Sequence, residues 1–211
     1  MPEAERKVVA LDPGVRAFQT YYSPDCTGAY AEGKDGGFAR VYSLCEKLDD
    51  TLSQKAQRPT SPRLQNALRP RSWRIRQRIR NLVDEVHKKV ALDLVQRFDT
   101  IVIPVFETSQ MAAKVRPDGS RRCIGRRTVR SMLTWAHYRF RERLIQKALE
   151  HGKEVVVCEE RYTSKGCGGC GRLNDPGSSK EYKCQFCGLE GDRDENAARN
   201  IFLKHIESPS R

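Results

Sequence analysis

Four cysteines in the last third of the chain form two matching turns. The turns are Cys167-Gly168-Gly169-Cys170-Gly171 and Cys184-Gln185-Phe186-Cys187-Gly188, with thirteen residues between Cys170 and Cys184. Each C-x-x-C turn can direct two thiolates at one point, and the glycine after it lets the backbone curl around the sulfur atoms. Four thiolates in this arrangement are typical of a tetrahedral structural zinc site, whereas disulfide pairing fits paired C-x-x-C-G turns poorly. We therefore predict that Zn²⁺ is bound by Cys167, Cys170, Cys184 and Cys187.

Acidic residues close several predicted strands and open the last predicted helix. Asp12 ends the apolar run from Lys7 to Leu11, immediately before Pro13-Gly14, and Asp194 lies where the cysteine segment passes into a helix. A zinc-stabilised segment that delivers a carboxylate to the start of a helix indicates a carboxylate active site. D-P-G is also common turn chemistry, so Asp12 taken alone favours an ordinary turn residue.

Two more predicted strands end in carboxylates. The strand that begins at Phe98 ends at Glu107, and the strand from Glu154 to Cys158 ends at Glu159-Glu160. Pro104 lies within the first of these strands and predicts a bulge or an exposed backbone position there.

Clusters of arginine form the third group of residues that indicates a function. Six of them crowd the first turns of a helix predicted from about residue 71 to 98, and others occupy the polar segment 109–127 and the following helix. A solvated basic face is the ordinary explanation. Arginine at this density, without acidic residues in the same turns, favours phosphate contact instead. The predicted phosphate ligands are Arg71, Arg74, Arg78, Arg126, Arg127 and Arg130.

The composition narrows the function classes. The chain has 211 residues and a formal net charge of +12, which favours a polyanionic partner. This length suffices for one substantial core and a small satellite module. No apolar run approaches the roughly 18 residues of a membrane span, and the N-terminal segment lacks the apolar region of a signal peptide. The remaining cysteines are scattered, which indicates thiols in a reducing, intracellular compartment.

The order of the predicted elements indicates the fold class. A strand, one or two hairpins, helices, a strand, a helix, a strand and a final helix follow one another, with acidic residues at strand ends. This order predicts an α/β protein of the RNase H-like class, a mixed sheet with flanking helices and an inserted Cys₄ zinc ribbon. The predicted boundaries are 1–163 and 189–206 for the nuclease-like domain, 164–188 for the ribbon and 207–211 for a tail.

The motifs also resemble a known family. Val9-Ala10-Leu11-Asp12-Pro13-Gly14 is similar to the first RuvC-like motif of the TnpB family of transposon-encoded nucleases. Arg161 to Lys165, the ribbon, and the run from Asp192 to Ile201 resemble that family's C-terminal hallmark. Pro104 to Ser109, with Met132 to Tyr138, is closer to the Fanzor branch from eukaryotes and their viruses. The resemblance covers roughly residues 6 to 204.

This resemblance implies an RNA-guided DNA endonuclease, with DNA and a guide RNA as partners. Asp12 matches the family's first catalytic aspartate and Asp194 the last, while Asp192 is predicted to cap the final helix. Such carboxylates would bind two Mg²⁺ or Mn²⁺ ions, which activate a water and stabilise the leaving oxygen in phosphodiester hydrolysis. The family's middle glutamate would align on Pro104, which cannot bind a metal. Glu107 and Glu160 remain equal candidates for that position.

Two alternatives stay open at this point. Family members carry recognition and wedge domains ahead of the first motif, so the chain resembles the nuclease half of such a protein, truncated or decayed. The expected location is the nucleus if the host is a eukaryote and the cytoplasm otherwise. A catalytically inactive, zinc-dependent DNA- or RNA-binding protein is the main alternative. A DDE-type transposase uses similar carboxylates, but the Cys₄ insertion before the last aspartate argues against it.

Overall fold

The computed structural model describes residues 6–32, 38–56, 61–106, 108–113, 119, 124–158, 165–174 and 179–207. In chain order, the elements are β1 (Val8–Pro13), β2 (Gln19–Ser23), β3 (Cys26–Tyr30), α1 (Phe38–Ala56), α2 (Pro62–Arg97), β4 (Thr100–Pro104), α3 (Thr108–Ala112), α4 (Arg126–Trp135), α5 (His137–Glu150), β5 (Glu154–Cys158), β6 (Glu181–Lys183), β7 (Glu190–Asp192) and α6 (Arg193–Glu207).

Five strands form one mixed sheet in the order β3-β2-β1-β4-β5. β1, β2 and β3 pair antiparallel, whereas β4 is parallel to both β1 and β5. β1 is therefore the central strand, and the predicted mixed sheet with flanking helices is confirmed. β6 and β7 form a separate antiparallel hairpin in the cysteine segment.

The two faces of the sheet are covered by different helices. Val9 and Leu11 of β1 point into a large core that includes residues of α2 and α5. Ala10, between them, packs with Val102 of β4 against Ile201 and Phe202 of α6. This alternation follows from the two-residue period of a strand. β4 is buried along its whole length, as expected for a strand covered on both faces.

Two helices differ from their predicted extents. α2 begins at Pro62, nine residues before the predicted start, because the side chain of Ser61 accepts a hydrogen bond from the backbone N–H of Leu64 and caps the helix. The helix continues through Pro70. The single helix predicted after the polar segment 109–127 is divided into α4 and α5 at Ala136, whose φ of 49° and ψ of 53° lie in the left-handed region.

In the part of the chain that the structure describes, no helix combines the length and the apolar character needed to cross a membrane.

Candidate metal centres and nucleic-acid interface

The four cysteines predicted as zinc ligands meet at one point. Their Sγ atoms all lie within 4.8 Å of one another, with 3.6 Å between Cys167 and Cys187 and 3.7 Å between Cys170 and Cys184. A tetrahedral site with Zn–S bonds of about 2.3 Å has sulfur–sulfur edges of about 3.8 Å, whereas a disulfide requires about 2.05 Å. The cluster therefore has the dimensions of a zinc site and not of two disulfides.

The turns around the sulfur atoms supply hydrogen-bond donors to them. The backbone N–H of Phe186 and Nδ2 of Asn174 each lie 3.4 Å from Sγ of Cys184. Desolvation works against the Cys184 thiolate, but the N–H groups of Cys187 and Phe186 and the Asn174 amide lower its pKa to about 6. Thiolate is the form that binds a metal. Asn174, which the sequence analysis did not single out, thus belongs to the site.

Glycine is required after each pair of cysteines. Gly171 and Gly188 have φ values of 73° and 72°, a region that other residues rarely adopt. This confirms the reason given above for the glycine in each C-x-x-C-G turn.

Two asparagines of α6 bind the first cysteine turn. The backbone N–H of Gly168 donates to Oδ1 of Asn196 at 2.9 Å. The side-chain amides of Asn196 and Asn200 donate to the carbonyl of Gly166 at 2.8 and 2.7 Å. A Cβ atom at position 168 would lie only 2.9 Å from Cδ of Arg199, so a larger residue here would have to displace the Arg199 side chain. The asparagines are four residues apart on one helix face, a spacing visible in the sequence whose purpose was not recognised.

Asp192 caps α6, as predicted. Its Oδ1 accepts hydrogen bonds from the backbone N–H groups of Asp194 at 2.8 Å and Glu195 at 3.3 Å. Its other oxygen lies 3.3 Å from Nζ of Lys180, which also contacts Glu32 beyond β3 at 2.7 Å. The start of α6, the β6–β7 hairpin and the sheet are therefore joined at this point.

Asp194 occupies the first turn of α6, and its side chain is 20% exposed. Burial and the neighbouring Asp192 carboxylate raise the pKa of Asp194, while Arg193, Arg16 and Lys180 act in the opposite direction. The influence of Arg16 is informative because this residue follows Asp12 by four positions. The first turn of α6 thus lies near the loop that leaves the carboxyl end of β1.

Asp12 belongs to the sheet face that α6 covers. It pairs with Thr20 of β2 and lies two residues after Ala10, whose side chain contacts α6. Tyr22 of β2 meets Phe202 on the same face, with ring centroids 5.4 Å apart. Two residues along a strand return to the same face. The fold therefore brings Asp12 and Asp194 to one face of the sheet.

Glu107 and Glu160, the two candidates for a middle carboxylate, lie outside the described residues. Pro104 is described and buried at the end of β4. The pairing of β1 with β4 ends at Ala10 and Val102. Asp12 and Pro104 each follow this last pair by two residues, so the residue aligned with the family's glutamate ends the strand next to β1.

A buried histidine supports the loop after Asp12. His137 begins α5 and stacks on Phe18 at a centroid distance of 5.3 Å, while Phe106 meets it edge-on at 4.8 Å. The Gln19 amide Nε2 lies 3.4 Å from Nδ1 of His137. Burial, and then the proximity of His87, lower the pKa of His137 to about 3, with a small opposing contribution from the backbone of Gly14. His137 lies within the Met132 to Tyr138 segment noted in the sequence, but nothing in the sequence indicated its role.

The predicted phosphate ligands fall into two classes. Arg71, Arg74, Arg78 and Arg126 are exposed, and Arg127 is exposed with its guanidinium 4.4 Å from the ring centroid of Tyr42. Arg130 instead forms a two-pronged ion pair with both carboxylate oxygens of Asp49. Five of the six predicted phosphate ligands are therefore exposed to solvent, and the sixth, Arg130, is held in an ion pair within the protein.

Comparison with known proteins gives three kinds of match. The family described as Cas12f1-like, TNB domain, matches residues 137–201. A TnpB-like protein of Acanthamoeba polyphaga mimivirus is 31% identical over 201 residues, which are 93% of this chain and 37% of that protein. A putative transposase of the same virus is 34% identical over 212 residues, 98% of this chain and 42% of the relative. The chain thus spans about two fifths of the length of these relatives.

The same comparison connects the chain to CRISPR nucleases. The CRISPR-associated endodeoxyribonuclease Cas12f1 of Sulfoacidibacillus thermotolerans is 35% identical over 80 residues, 37% of this chain and 19% of that protein. Among solved structures, a Cas12f1–sgRNA–target DNA complex has a TM-score of 0.62 at 18% identity, covering 95% of this chain and 50% of that one. A CRISPR-Cas12f ternary complex has a TM-score of 0.65 at 18% identity, with coverages of 92% and 38%. These structures share the fold.

Proposed function

Because this chain belongs to the TnpB family, we propose that it is the nuclease half of an RNA-guided DNA endonuclease. The reaction would be metal-dependent hydrolysis of a DNA phosphodiester. One similar protein is named as an endodeoxyribonuclease, and a Cas12f1 structure that shares the fold was solved with sgRNA and target DNA. We extend these partners to this chain as part of the proposal.

The position of Asp194 carries the proposal. This carboxylate is partly buried at the start of a helix that covers the Asp12 face of the sheet, and burial together with Asp192 raises its pKa. A carboxyl group held in such surroundings is destabilised when ionised, so a bound cation would stabilise it. Asp12 and Asp194 would hold Mg²⁺ or Mn²⁺, and either Glu107 or Glu160 would complete the site. The ions would activate the attacking water and stabilise the leaving oxygen.

We propose a structural role for zinc. The Cys₄ cluster has tetrahedral dimensions, and the hydrogen bonds from Asn196 and Asn200 connect it to the helix that carries Asp194. Zinc at this point would fix the direction of the first turn of α6. Elemental analysis of the purified chain should give one zinc per molecule, and its absence from folded protein would remove this part of the proposal.

The basic surface would bind the nucleic acid backbone. Arg71, Arg74, Arg78, Arg126 and Arg127 are exposed, and the segment from residue 62 to 83 contains no acidic residue. Phosphate contacts of this type are independent of sequence and weaken steeply with salt.

The test is cleavage of single-stranded DNA in the presence of Mg²⁺ or Mn²⁺. Asp12→Ala and Asp194→Ala should each abolish cleavage, while Asp25→Ala, in the exposed turn between β2 and β3, should leave it unchanged. Cleavage that survives Asp12→Ala would contradict the assignment.

A second function is favoured by one observation. Pro104, buried at the end of β4 beside β1, stands where the family's glutamate would align. If neither Glu107 nor Glu160 supplies the missing carboxylate, the chain would be a zinc-dependent nucleic-acid-binding protein without nuclease activity. Salt-sensitive DNA binding without metal-dependent cleavage would identify this case. The resemblance of Pro104 to Ser109 to the Fanzor branch remains part of the proposal.

A further inference from the structure

We propose that Trp73 is a stacking platform for an unpaired base of a single nucleic-acid strand, and that Arg76 and Arg80 hold the phosphates next to that base. This proposal rests on the nucleic-acid binding proposed above and names the strand chemistry that one face of α2 would recognise.

The basic residues of α2 lie on two sides of its buried stripe. Positions three and four apart share a face of a helix. Arg71, Arg74 and Arg78 follow this spacing on one side of the partly buried Ile75 and Ile79 positions. A second set on the other side has the spacing four, three and four. We call this second set the Trp73 ridge, and it consists of Arg69, Trp73, Arg76 and Arg80.

Trp73 is the aromatic centre of this ridge and is 60% exposed, whereas Trp135, the other tryptophan, is 0% exposed. Tryptophan is a largely buried residue on average, so an indole open to solvent on a helix needs a reason. The guanidinium groups of Arg69, Arg76 and Arg80 form no ion pair within the described part of the chain. Among the described residues, the arginines on the indole's side of the helix therefore keep their positive charges unpaired, which suits a polyanion.

A cleft continues from the ridge toward α4 and α5. It has a volume of about 290 Å³, and Arg76 and Arg80 form one rim while Arg130 and Arg139 form the other. Arg130 pairs with Asp49 and Arg139 with Asp84, so the charges of the second rim are balanced within the protein. Leu133, 55% exposed, adds an apolar side chain to the lining of the cleft. The unpaired charges of Arg76 and Arg80 thus lie beside an apolar surface. Arg76 is about one helical turn from Trp73, and Arg80 is about two turns from it.

This arrangement matches the way proteins bind single strands. Arginines follow the phosphates, and an aromatic ring stacks on a base of any sequence because every base has a π-face. The bases of an intact duplex are stacked on one another and cannot reach the indole. A single strand of RNA or of DNA offers the same nucleotide chemistry, and only its sugar differs.

Intrinsic fluorescence tests the proposal, because Trp135 is buried and Trp73 reports the surface. A single-stranded oligonucleotide should quench the exposed tryptophan emission of the wild-type chain, and a duplex of equal length should quench it far less. Trp73→Ala should weaken single-strand binding by about ten-fold and leave duplex binding unchanged, while Trp73→Phe should restore most of the loss. Parallel titrations with RNA and DNA identify the strand, since the tighter ligand shows the preferred sugar.

The controls separate this proposal from the one on which it rests. Arg71→Ala, on the opposite side of the stripe, should weaken single-strand and duplex binding alike and should keep the quenching. If wild-type and Trp73→Ala proteins bind single strands equally, the stacking proposal is overturned while phosphate binding stands. If the wild-type chain binds no nucleic acid at any salt concentration, both proposals fail.

Discussion

The backbone N–H of Gly168 donates a hydrogen bond of 2.9 Å to the side-chain oxygen of Asn196. Gly168 lies between two of the clustered cysteines, and Asn196 follows Asp194 by two residues on α6. The cysteine cluster and the candidate catalytic carboxylate are therefore separated by one hydrogen bond and half a helical turn. A change in the structure of the cluster should therefore shift the position of the Asp194 side chain.

Asn196→Ala should weaken the connection without removing the metal ligands. The substitution leaves the Gly168 N–H without its acceptor and removes one of two donors to the Gly166 carbonyl, so we expect a loss of about 1–3 kcal/mol in the free energy of unfolding. Zinc content should stay at the wild-type value. Urea denaturation and elemental analysis measure the two quantities. Asn81→Ala, at an exposed position of α2, is the matched control, and an equal effect of both variants would contradict the role of Asn196.

Asp194→Asn should stabilise the zinc-loaded chain at neutral pH when Mg²⁺ and Mn²⁺ are absent. Burial and Asp192 raise the pKa of Asp194 above its ordinary value of 3.8, so the folded state favours the protonated carboxyl. The resulting penalty is absent below the unfolded pKa and grows as the pH rises through the raised one. Melting temperatures of wild type and Asp194→Asn should therefore converge at low pH and separate toward neutral pH, with the variant higher. A higher wild-type melting temperature at pH 7 without Mg²⁺ and Mn²⁺ would contradict this.

His137→Gln should flatten the acid side of the stability curve. Burial lowers the pKa of His137 from 6.5 to about 3, so the fold requires the neutral ring. Its contribution is complete above pH 6.5 and is lost as the pH falls toward 3, because the unfolded chain binds the proton first. Melting curves between pH 7 and 4 should show a smaller drop for the variant. His151→Gln, at an exposed position, should keep the wild-type slope, and an identical slope for His137→Gln would count against the assignment.

The structure also separates arginines that the sequence grouped together. Arg71→Ala should reduce the slope of log affinity against log salt by about 0.7–0.9, the contribution of one phosphate contact. Arg130→Ala should change this slope much less, because its guanidinium pairs with Asp49. Its main effect should be on stability, by about 1 kcal/mol or less. Equal changes of slope would show that Arg130 leaves Asp49 to bind phosphate.

Local signals in the sequence were sufficient for part of the fold and site. The C-x-x-C-G turns predicted the sulfur cluster, because ligand spacing and the glycine requirement are properties of a few adjacent residues. Asp192 was recognised as a cap from its place before a helix, and the apolar run from Lys7 predicted the strand that became central. The signal for each feature lies within a few adjacent residues, namely one cysteine turn, one helix start or one apolar run.

Other features depend on contacts between distant segments. The pair of Arg130 with Asp49 joins α4 to α1, and His137 lies behind β1 only because α5 packs there. The break at Ala136 places a non-glycine residue in the left-handed region, which nothing in the local sequence indicates. Asn196 and Asn200 have a helical spacing, but their partner lies some thirty residues earlier. Periodicity can show which residues share a face and cannot show what that face meets.

Diffraction from crystals grown with Mn²⁺ tests the central proposal most directly. We predict an anomalous peak at the carboxyl end of β1, bound by carboxylate oxygens of both Asp12 and Asp194, with Glu107 or Glu160 as a further ligand. The same peak should be absent from Asp12→Ala crystals, and the Cys₄ cluster should show zinc in both. The nuclease assignment would be contradicted if Asp12 and Asp194 lay too far apart to share an ion, or if crystals soaked to saturation with Mn²⁺ showed no ion between them. The zinc-dependent binding protein would then take its place.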